Sequence, residues 1–168
     1  MTYLAEGTLR HGLHVAVRPL EPGDRVDVLD GFQHLSPESR YRRFMSGKPR
    51  LTNADMKALF DSDELALVLV WPRTSCRDIV LGVAQAIRLP GRPEAAEFCI
   101  VLADEIHGQG AGRLLTNQIA REATRLGITH LTGYMLATNV APARLLLGVG
   151  EVVHDQVASG ARELEVRL

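Results

Sequence analysis

A glycine-rich run near the middle of the chain has the composition of an anion-binding loop. It comprises His107, Gly108, Gln109, Gly110, Ala111 and Gly112. The glycines allow bare backbone N–H groups to approach a ligand, and a strongly periodic helix pattern begins at the end of the run. Because unpaired N–H groups and the positive end of the helix dipole meet at a helix start, this loop favours a phosphate.

Two common phosphate-binding motifs do not fit the loop. A Walker loop requires lysine and then serine or threonine after its last glycine, whereas Arg113 and Leu114 follow Gly112. A dinucleotide fingerprint requires a glycine where the chain has Leu115, and no acidic residue closes a parallel βαβ unit. Nucleotide binding is therefore disfavoured, while a tight turn that serves only helix packing stays open.

A second motif lies downstream, between Thr138 and Gly150. Asn139 precedes a short apolar helix, predicted from Pro142 to Val149 and closed by Gly150. An asparagine in front of a helix is an N-cap on physical grounds alone, because its side chain accepts hydrogen bonds from the first helical turn. Ligand binding by Asn139 is the other interpretation, and both stay open.

Together, the two motifs resemble the acyl-CoA signatures of the GNAT acyltransferases. The loop matches the family pattern Q/R-x-x-G-x-G/A, with His107 in place of the usual Gln or Arg. The resemblance implies that backbone amides of the loop, with Arg113 beside them, hold the pyrophosphate of coenzyme A. It also implies that Asn139 lies near the coenzyme arm, and that a splayed pair of strands places Val101 and Leu102 beside the pantetheine.

The chain departs from this family at two further positions. Leu146 stands where many members carry a tyrosine general acid, and Glu151 stands where an aromatic residue usually follows the glycine. A tyrosine acid at position 146 is therefore excluded. These departures keep open a non-catalytic module that binds acyl-CoA as a sensor.

Upstream segments are similar to the acetyltransferase domain of Pat-type protein lysine acetyltransferases. They are Arg18-Pro19-Leu20, the stretch from Leu35 to Phe44, and Ala96-Glu97-Phe98. In those domains the glutamate that matches Glu97 is the catalytic base. A base is needed because lysine, with a pKa of about 10.4, is charged at neutral pH. Apolar burial, expected from Phe98 and the strand alternation, would raise the pKa of Glu97 and suit that role, whereas a glutamate on a sheet edge would have no chemistry.

The elements that position these residues follow from hydrophobic periodicity and turn signals. Helices are predicted to begin after Asp24 and Ser36, each as an N-cap, and near Thr52 or Asn53, Gly110 and Pro142. Strands are predicted over 13–20, 65–71, 79–89, 95–102, 130–136, 152–157 and 163–168, with a short first hairpin arm over 8–10. We therefore expect a mixed α/β fold with a central, mostly antiparallel sheet of about seven strands flanked by helices. A chain of 168 residues is the usual size of one domain, and the resemblance covers about Thr8 to Val152. We therefore expect 1–168 to be a single GNAT-like domain, with 1–14 as an N-terminal strand or hairpin extension.

Composition limits the classes of partner. The formal net charge is −1, which argues against a general nucleic-acid binder, and the lack of a long apolar run argues against a membrane span. We expect a cytoplasmic location, because the start of the chain does not resemble a signal peptide. Cys76 and Cys99 are far apart without a metal-ligand spacing, so neither a disulfide nor a metal is expected.

One local basic segment departs from this balance. Between residues 36 and 50, a single acidic residue, Glu38, accompanies Arg40, Arg42, Arg43, Lys48 and Arg50. A solvated helix face is the favoured interpretation, and a guide for the coenzyme 3′-phosphate or for an acidic protein substrate is the other.

The leading hypothesis is an N-acyltransferase that moves an acetyl or other small acyl group from acyl-CoA to a primary amine, with acetyl-CoA as the expected co-substrate. The acceptor is predicted to be a protein lysine, with a small-molecule amine as the alternative, and Glu97 is the predicted base. Cys99 is interpreted as a small apolar strand residue rather than an acylated nucleophile, since no histidine is near it in sequence.

Overall fold

The computed structural model describes residues 2–61, 64–73 and 77–168. Within these residues, eight strands form one sheet: β1 (Ala5–Thr8), β2 (His14–Pro19), β3 (Leu65–Trp71), β4 (Ile79–Leu89), β5 (Arg92–Leu102), β6 (His130–Leu136), β7 (Glu151–Ala158) and β8 (Ala161–Arg167). Their order across the sheet is β1-β2-β3-β4-β5-β6-β8-β7. Every neighbouring pair is antiparallel except β5 and β6, which are parallel. The predicted mixed α/β fold with a mostly antiparallel sheet is confirmed; the first hairpin arm, β1, brings the strands to eight rather than about seven.

Five helices in the described residues flank the sheet. They are α1 (Arg25–His34), α2 (Pro37–Phe44), α3 (Asn53–Phe60), α4 (Ala111–Arg125) and α5 (Val140–Leu147). Ser36 and Thr52 cap α2 and α3 by accepting hydrogen bonds from Ser39 N and Asp55 N, as Ser-Pro and Thr-x-x-Asp patterns favour. In this described part of the chain, none of the helices is both long and apolar enough to cross a membrane.

Two hydrophobic clusters cover the two faces of the sheet. The larger one joins the sheet to α4 and α5 and includes Phe98, Leu115 and Leu146. The smaller one lies on the opposite face under α1 and α3 and includes Val68 and Met56. Residues on alternate positions of β5 therefore face different helices, which decides where the predicted site residues lie.

The start of α1 differs from the prediction. Asp24 was expected to cap this helix, but its side chain makes no capping hydrogen bond. Its carboxylate instead accepts two hydrogen bonds of 2.8 Å from the guanidinium of Arg18, a buried side chain that is only 2% exposed. Although burial acts to raise the pKa of Asp24, the hydrogen bonds from Arg18 and from the Glu21 N–H lower it overall. An ion pair with a buried arginine outweighs a local cap here because an unpaired buried charge is far more costly.

Several predicted boundaries move by a few residues. The first hairpin arm is Ala5–Thr8 rather than 8–10, since the turn occupies the residues around Gly12. Strand β5 begins at Arg92 rather than at 95, and α5 begins at Val140 rather than at Pro142. Pro142 fits the first turn of α5 because the N–H that proline lacks has no helical partner there.

Candidate active site

Strands β5 and β6 separate in the middle of the sheet. Their parallel register contains three pairs, Ala95 with His130, Ala96 with Leu131, and Glu97 with Thr132. Beyond Glu97, residues of β5 continue to pair with β4, and residues of β6 continue to pair with β8. The facing edges, formed by 98–102 and 133–136, therefore bound an opening, which we call the strand opening.

The glycine-rich loop lies at the wide end of the strand opening, between β5 and α4. Gly108 and Gly110 have φ angles of 71° and 98°, in the left-handed region that other residues adopt at a cost. Leu114 N, bonded to Gly110 O, makes the first helical hydrogen bond of α4. Among the described residues, the N–H groups of Gly108, Gly110 and Gly112 have no protein acceptor. The loop thus presents free donors at the positive end of a 15-residue helix.

Gly112 also serves the packing of the loop. A Cβ atom at this position would lie 3.2 Å from Leu145 of α5 and 3.5 Å from Leu102 of β5. Glycine therefore lets the start of α4 approach both the end of β5 and α5. The packing role and the ligand role of this glycine are compatible, because one depends on the missing side chain and the other on the backbone.

Side chains around the loop hold it in place. His107 Nε2 lies 3.1 Å from Leu102 O, and Gln109 Nε2 donates to Glu105 O at 2.6 Å. Arg10, from the turn after β1, donates through its guanidinium to Gly108 O and through its N–H to Gln109 O. Arg10 has no motif around it in the sequence, so only the folded hairpin brings it to the loop.

Asn139 occupies the N-cap position of α5, but its side chain makes no capping hydrogen bond. Its backbone N–H donates to Leu136 O at the end of β6, which places the residue at the edge of the strand opening. The structure therefore does not use this side chain as a cap. Leu146, where the family tyrosine is missing, is fully buried, and its methyl groups pack over Gly133.

Glu97 lies on β5 where the strand opening begins, on the face of α1, α2 and α3. Its neighbours Ala96 and Phe98 are buried on the opposite face, in the cluster with α4. The expectation that Glu97 is buried was wrong: its side chain is exposed, because the alternation that buries Phe98 turns Glu97 away from that core. Helix α2 contacts both β5 and β6 on this side and so borders the carboxylate's surroundings.

Cys99 follows Glu97 on the same face, and its Sγ lies 3.7 Å from Glu97 Oε1. Burial raises the pKa of the Cys99 thiol, and the positive charge of Arg43 acts in the opposite direction without reversing the shift. A raised pKa favours the thiol over the nucleophilic thiolate, in agreement with a small strand residue. Cys76 lies outside the described residues, and within the described ranges no three His, Cys, Asp or Glu side chains form a group that could hold a metal ion.

The structure adds side chains that the sequence did not indicate. Thr132 pairs with Glu97 in the parallel register, is 8% exposed, and has an Oγ1 without a hydrogen-bond partner in the described residues. Tyr134 is two residues further on the same face and is exposed. Parallel register between strands separated by a helix has no local signal, which explains why sequence reasoning missed both residues.

Asp104 connects the loop to α2. Its carboxylate accepts hydrogen bonds from Ser36 N at 2.7 Å and from Ser39 Oγ at 2.5 Å. Burial acts to raise the pKa of Asp104, but these donors lower it overall. The basic segment is likewise fixed by contacts: Arg40 donates to the carbonyls of Gln33, Leu35 and Pro49, and Lys48 pairs with Asp55.

Comparison with solved structures identifies the class of fold. The GNAT domain of PAT from S. lividans superposes with a TM-score of 0.81 at 23% identity, covering 98% of this chain and 96% of that one. A Salmonella typhimurium protein, yncA, solved with its cofactor acetyl-CoA, gives a TM-score of 0.68 at 17% identity over 92% of this chain and 94% of that one. The chain has the GNAT fold.

Within that class, the sequence is similar to the acetyltransferase Pat of Mycolicibacterium smegmatis. The two are 29% identical over 160 residues, which is 94% of this chain and 47% of Pat. The resemblance to Pat-type GNAT acetyltransferases drawn from the motifs is thereby confirmed. The chain spans about half the length of that relative, and no family model matches it.

Proposed function

We propose that this chain transfers an acetyl or other small acyl group from acyl-CoA to a primary amine, with Glu97 as the general base. The observation that carries the proposal is the strand opening, which has the free N–H groups of the loop at one end and the Glu97 carboxylate at the other. The fold and the similarity to the acetyltransferase Pat support the same reaction. The predicted single domain, 1–168, is part of this proposal.

The residues of the loop fit a diphosphate. Gly108, Gly110 and Gly112 offer free N–H donors, and Gln109 and Ala111 lie between them. The exposed Arg113 adds a positive charge in the first turn of α4. Val101 and Leu102 border the strand opening with their backbone groups, and the uncapped Asn139 side chain lies at its far edge. His107 supports the loop through Leu102 O. Acetyl-CoA, when bound there, supplies the acyl group as an activated thioester.

The chain's own groups then have to prepare the amine. An ammonium at neutral pH must lose a proton before it can attack, and Glu97 Oε1 is an exposed acceptor at the start of the strand opening. The amine nitrogen forms the new C–N bond while the thioester C–S bond breaks. Of the three ammonium protons, one goes to Glu97, one to the departing sulfur, and one stays on the amide. Exposure lets Glu97 return its proton to water without a relay.

The acceptor is proposed to be a protein lysine, on the similarity to Pat, with a small-molecule amine as the alternative. Turnover of acetyl-CoA by the full chain should be measured with lysine peptides, polyamines, aminoglycosides and amino acids, followed by mass spectrometry of protein substrates. Enzyme-dependent lysine acetylation that Glu97→Gln abolishes supports the proposal. Rapid turnover on free polyamines alone contradicts the lysine assignment, and binding without turnover on any amine favours the sensor hypothesis.

A further inference from the structure

A cavity of about 220 Å³ lies under α1, α2 and α3, next to Glu97. Its floor is the face of β4 and β5 on which Ile87 is paired with Glu97, Gln85 with Cys99, and Val83 with Val101. All of these except Glu97 line the cavity. The cavity therefore begins next to Glu97, at its paired residue Ile87 and at the small side chain of Cys99.

The size of the cavity exceeds what an acetyl group requires. A cavity of about 150 Å³ is enough to hold a benzene ring, that is, six carbon atoms. The cavity here is larger, and most of its walls are apolar side chains such as Phe32, Met56 and Leu59. An acetyl methyl group would leave most of this space empty, so the dimensions suit a longer chain.

Gln85 shows that the cavity is not a purely apolar void. This side chain is 8% exposed, and its Nε2 has no hydrogen-bond acceptor within the described residues. A buried donor without an acceptor destabilises the folded protein, and a bound ligand can supply the missing acceptor. Gln85 lies on the cavity floor directly beside Cys99, so an oxygen atom of a ligand chain that passes Cys99 can accept from it.

The charges around the cavity give the sign of that ligand group. Two lining carboxylates already face cations: Asp55 is paired with Lys48 at 2.7 Å, and Asp27 Oδ2 lies 2.9 Å from the Arg77 guanidinium, a charge contact without hydrogen-bond geometry among the described residues. Arg43 also lines the cavity, and its guanidinium lies over the Phe44 ring at 4.8 Å, with no carboxylate partner in the described part of the chain. Arg43 and Cys99 line the same cavity. An ammonium would be repelled here, whereas a carboxylate would be attracted.

We propose that the cavity binds the acyl chain of the donor, and that this chain is a short one ending in a carboxylate, of the succinyl class. Gln85 and Arg43 donate hydrogen bonds to that carboxylate, and the apolar walls enclose its methylene groups. The inference rests on the proposed acyl transfer and names its donor. The reaction is otherwise unchanged: the C–N bond forms, the C–S bond breaks, and the protons go to Glu97 and sulfur.

Binding of thioesters to the full chain tests this without knowledge of the acceptor. Calorimetry with coenzyme A, acetyl-CoA, butyryl-CoA and succinyl-CoA compares chains of matched length with and without the carboxylate. We expect succinyl-CoA to bind at least about tenfold tighter than butyryl-CoA, as for a charge-assisted pair in a partly buried site. Equal or tighter binding of butyryl-CoA would overturn the carboxylate assignment.

Variants make the test specific. Arg43→Gln should bring the affinity ratio of succinyl-CoA to butyryl-CoA close to one, whereas Arg42→Gln, on the neighbouring residue that pairs with Glu38 and lies outside the cavity lining, should leave the ratio unchanged. Gln85→Leu should lower the ratio while raising the thermal stability of the free protein, because it removes the unpaired donor. An unchanged ratio in Arg43→Gln and Gln85→Leu contradicts the inference. If coenzyme A itself does not bind, the proposed function fails as well; if it binds and succinyl-CoA gains nothing, only this inference fails.

Discussion

The loop that precedes α4 and the face of the sheet around Glu97 are built from different chemical groups. The loop offers backbone N–H donors whose positions are set by glycines with left-handed φ angles and by one helix start. The face around Glu97 offers side chains, and its geometry depends on which residues of β4, β5 and β6 stand opposite one another. Substitutions at the loop should therefore act mainly on binding, whereas substitutions on the face should act mainly on turnover.

Glu97→Gln tests most directly whether the face around Glu97 controls turnover. We expect turnover to fall by about a hundredfold or more, the range for loss of a general base, with coenzyme affinity little changed. The residual rate should rise with pH, since solvent then has to remove the proton. Glu94→Gln on the same strand, where Glu94 pairs with the exposed Arg92, is the matched control and should keep its activity. Turnover of Glu97→Gln within a few-fold of the parent would mean that another group is the base.

The ion pair of Asp55 stabilises α3, one of the helices that cover the same face of the sheet as Glu97. Burial acts to raise its pKa, but hydrogen bonds from Lys48 and Thr52 lower it to about 2. Compared with an ordinary value of about 3.9, this corresponds to about 2.6 kcal/mol of stability, which solvent screening of the partly exposed pair with Lys48 reduces to about 2 kcal/mol. Because the folded pKa is lowered, the contribution is present above pH 4 and is lost as the pH falls towards 2.

Denaturant unfolding of Asp55→Asn should accordingly show a loss of about 2 kcal/mol at pH 7 that shrinks below pH 4. Asp61→Asn, at a half-exposed pair with Arg25, should change stability by less than about 0.5 kcal/mol. A pH-independent difference between the Asp55 variant and the parent would show that the lost contact is not electrostatic.

The charge of Arg113, at the start of α4, tests the binding role of the glycine-rich loop. Arg113→Glu should weaken coenzyme A binding by about tenfold, because a carboxylate then faces the diphosphate that the loop is proposed to hold. Arg121→Glu, also exposed but two turns further along α4, should have little effect. Calorimetry at low and moderate salt should show the Arg113 effect diminish with salt. Equal effects of the two variants would place the diphosphate elsewhere.

The smallest expected effect comes from a pair of glycines in contrasting backbone conformations. Gly31 is inside α1, and a Cβ there would meet no atom within 4 Å, so Gly31→Ala should stabilise the protein by about 0.5–1 kcal/mol. A Cβ at Gly110 would also meet no atom within 4 Å, but the φ of this residue is 98°. Gly110→Ala should therefore destabilise the fold by about 1 kcal/mol and weaken coenzyme binding. Thermal unfolding measures both, and a stabilising Gly110→Ala would contradict the role given to its backbone.

The sequence was sufficient for the features that depend on local patterns. The glycine-rich loop, the periodicity of α4 and the three successive strands β3, β4 and β5 each lie within one continuous stretch, and the structure confirms those elements. It was insufficient wherever distant segments meet. The pairing of Glu97 with Thr132, the position of Gln85 beside Cys99 and the contact of Arg10 with the loop all follow from strand register, which no local pattern encodes.

The sequence pattern around Glu97 predicted a buried side chain, whereas the structure shows an exposed one. An apolar neighbour such as Phe98 suggested a buried carboxylate, but on a strand with helices on both sides, one residue's burial says nothing about the next. The Asp24 cap failed for a related reason, since Arg18 lies on a separate element and its charge needed a partner. In both cases tertiary contacts decided between local options.

The three-pair register between β5 and β6 gives the sheet two unpaired rims in its interior. Unpaired strand rims at the outside of a sheet attract other chains and invite aggregation, and proteins usually blunt them. Here the rims belong to interior strands, because β5 stays paired with β4 and β6 stays paired with β8, and the rims face each other across the strand opening. An extended ligand with its own amide groups can replace the missing strand-to-strand hydrogen bonds, so the gap in the sheet acts as a binding surface for thin, peptide-like molecules.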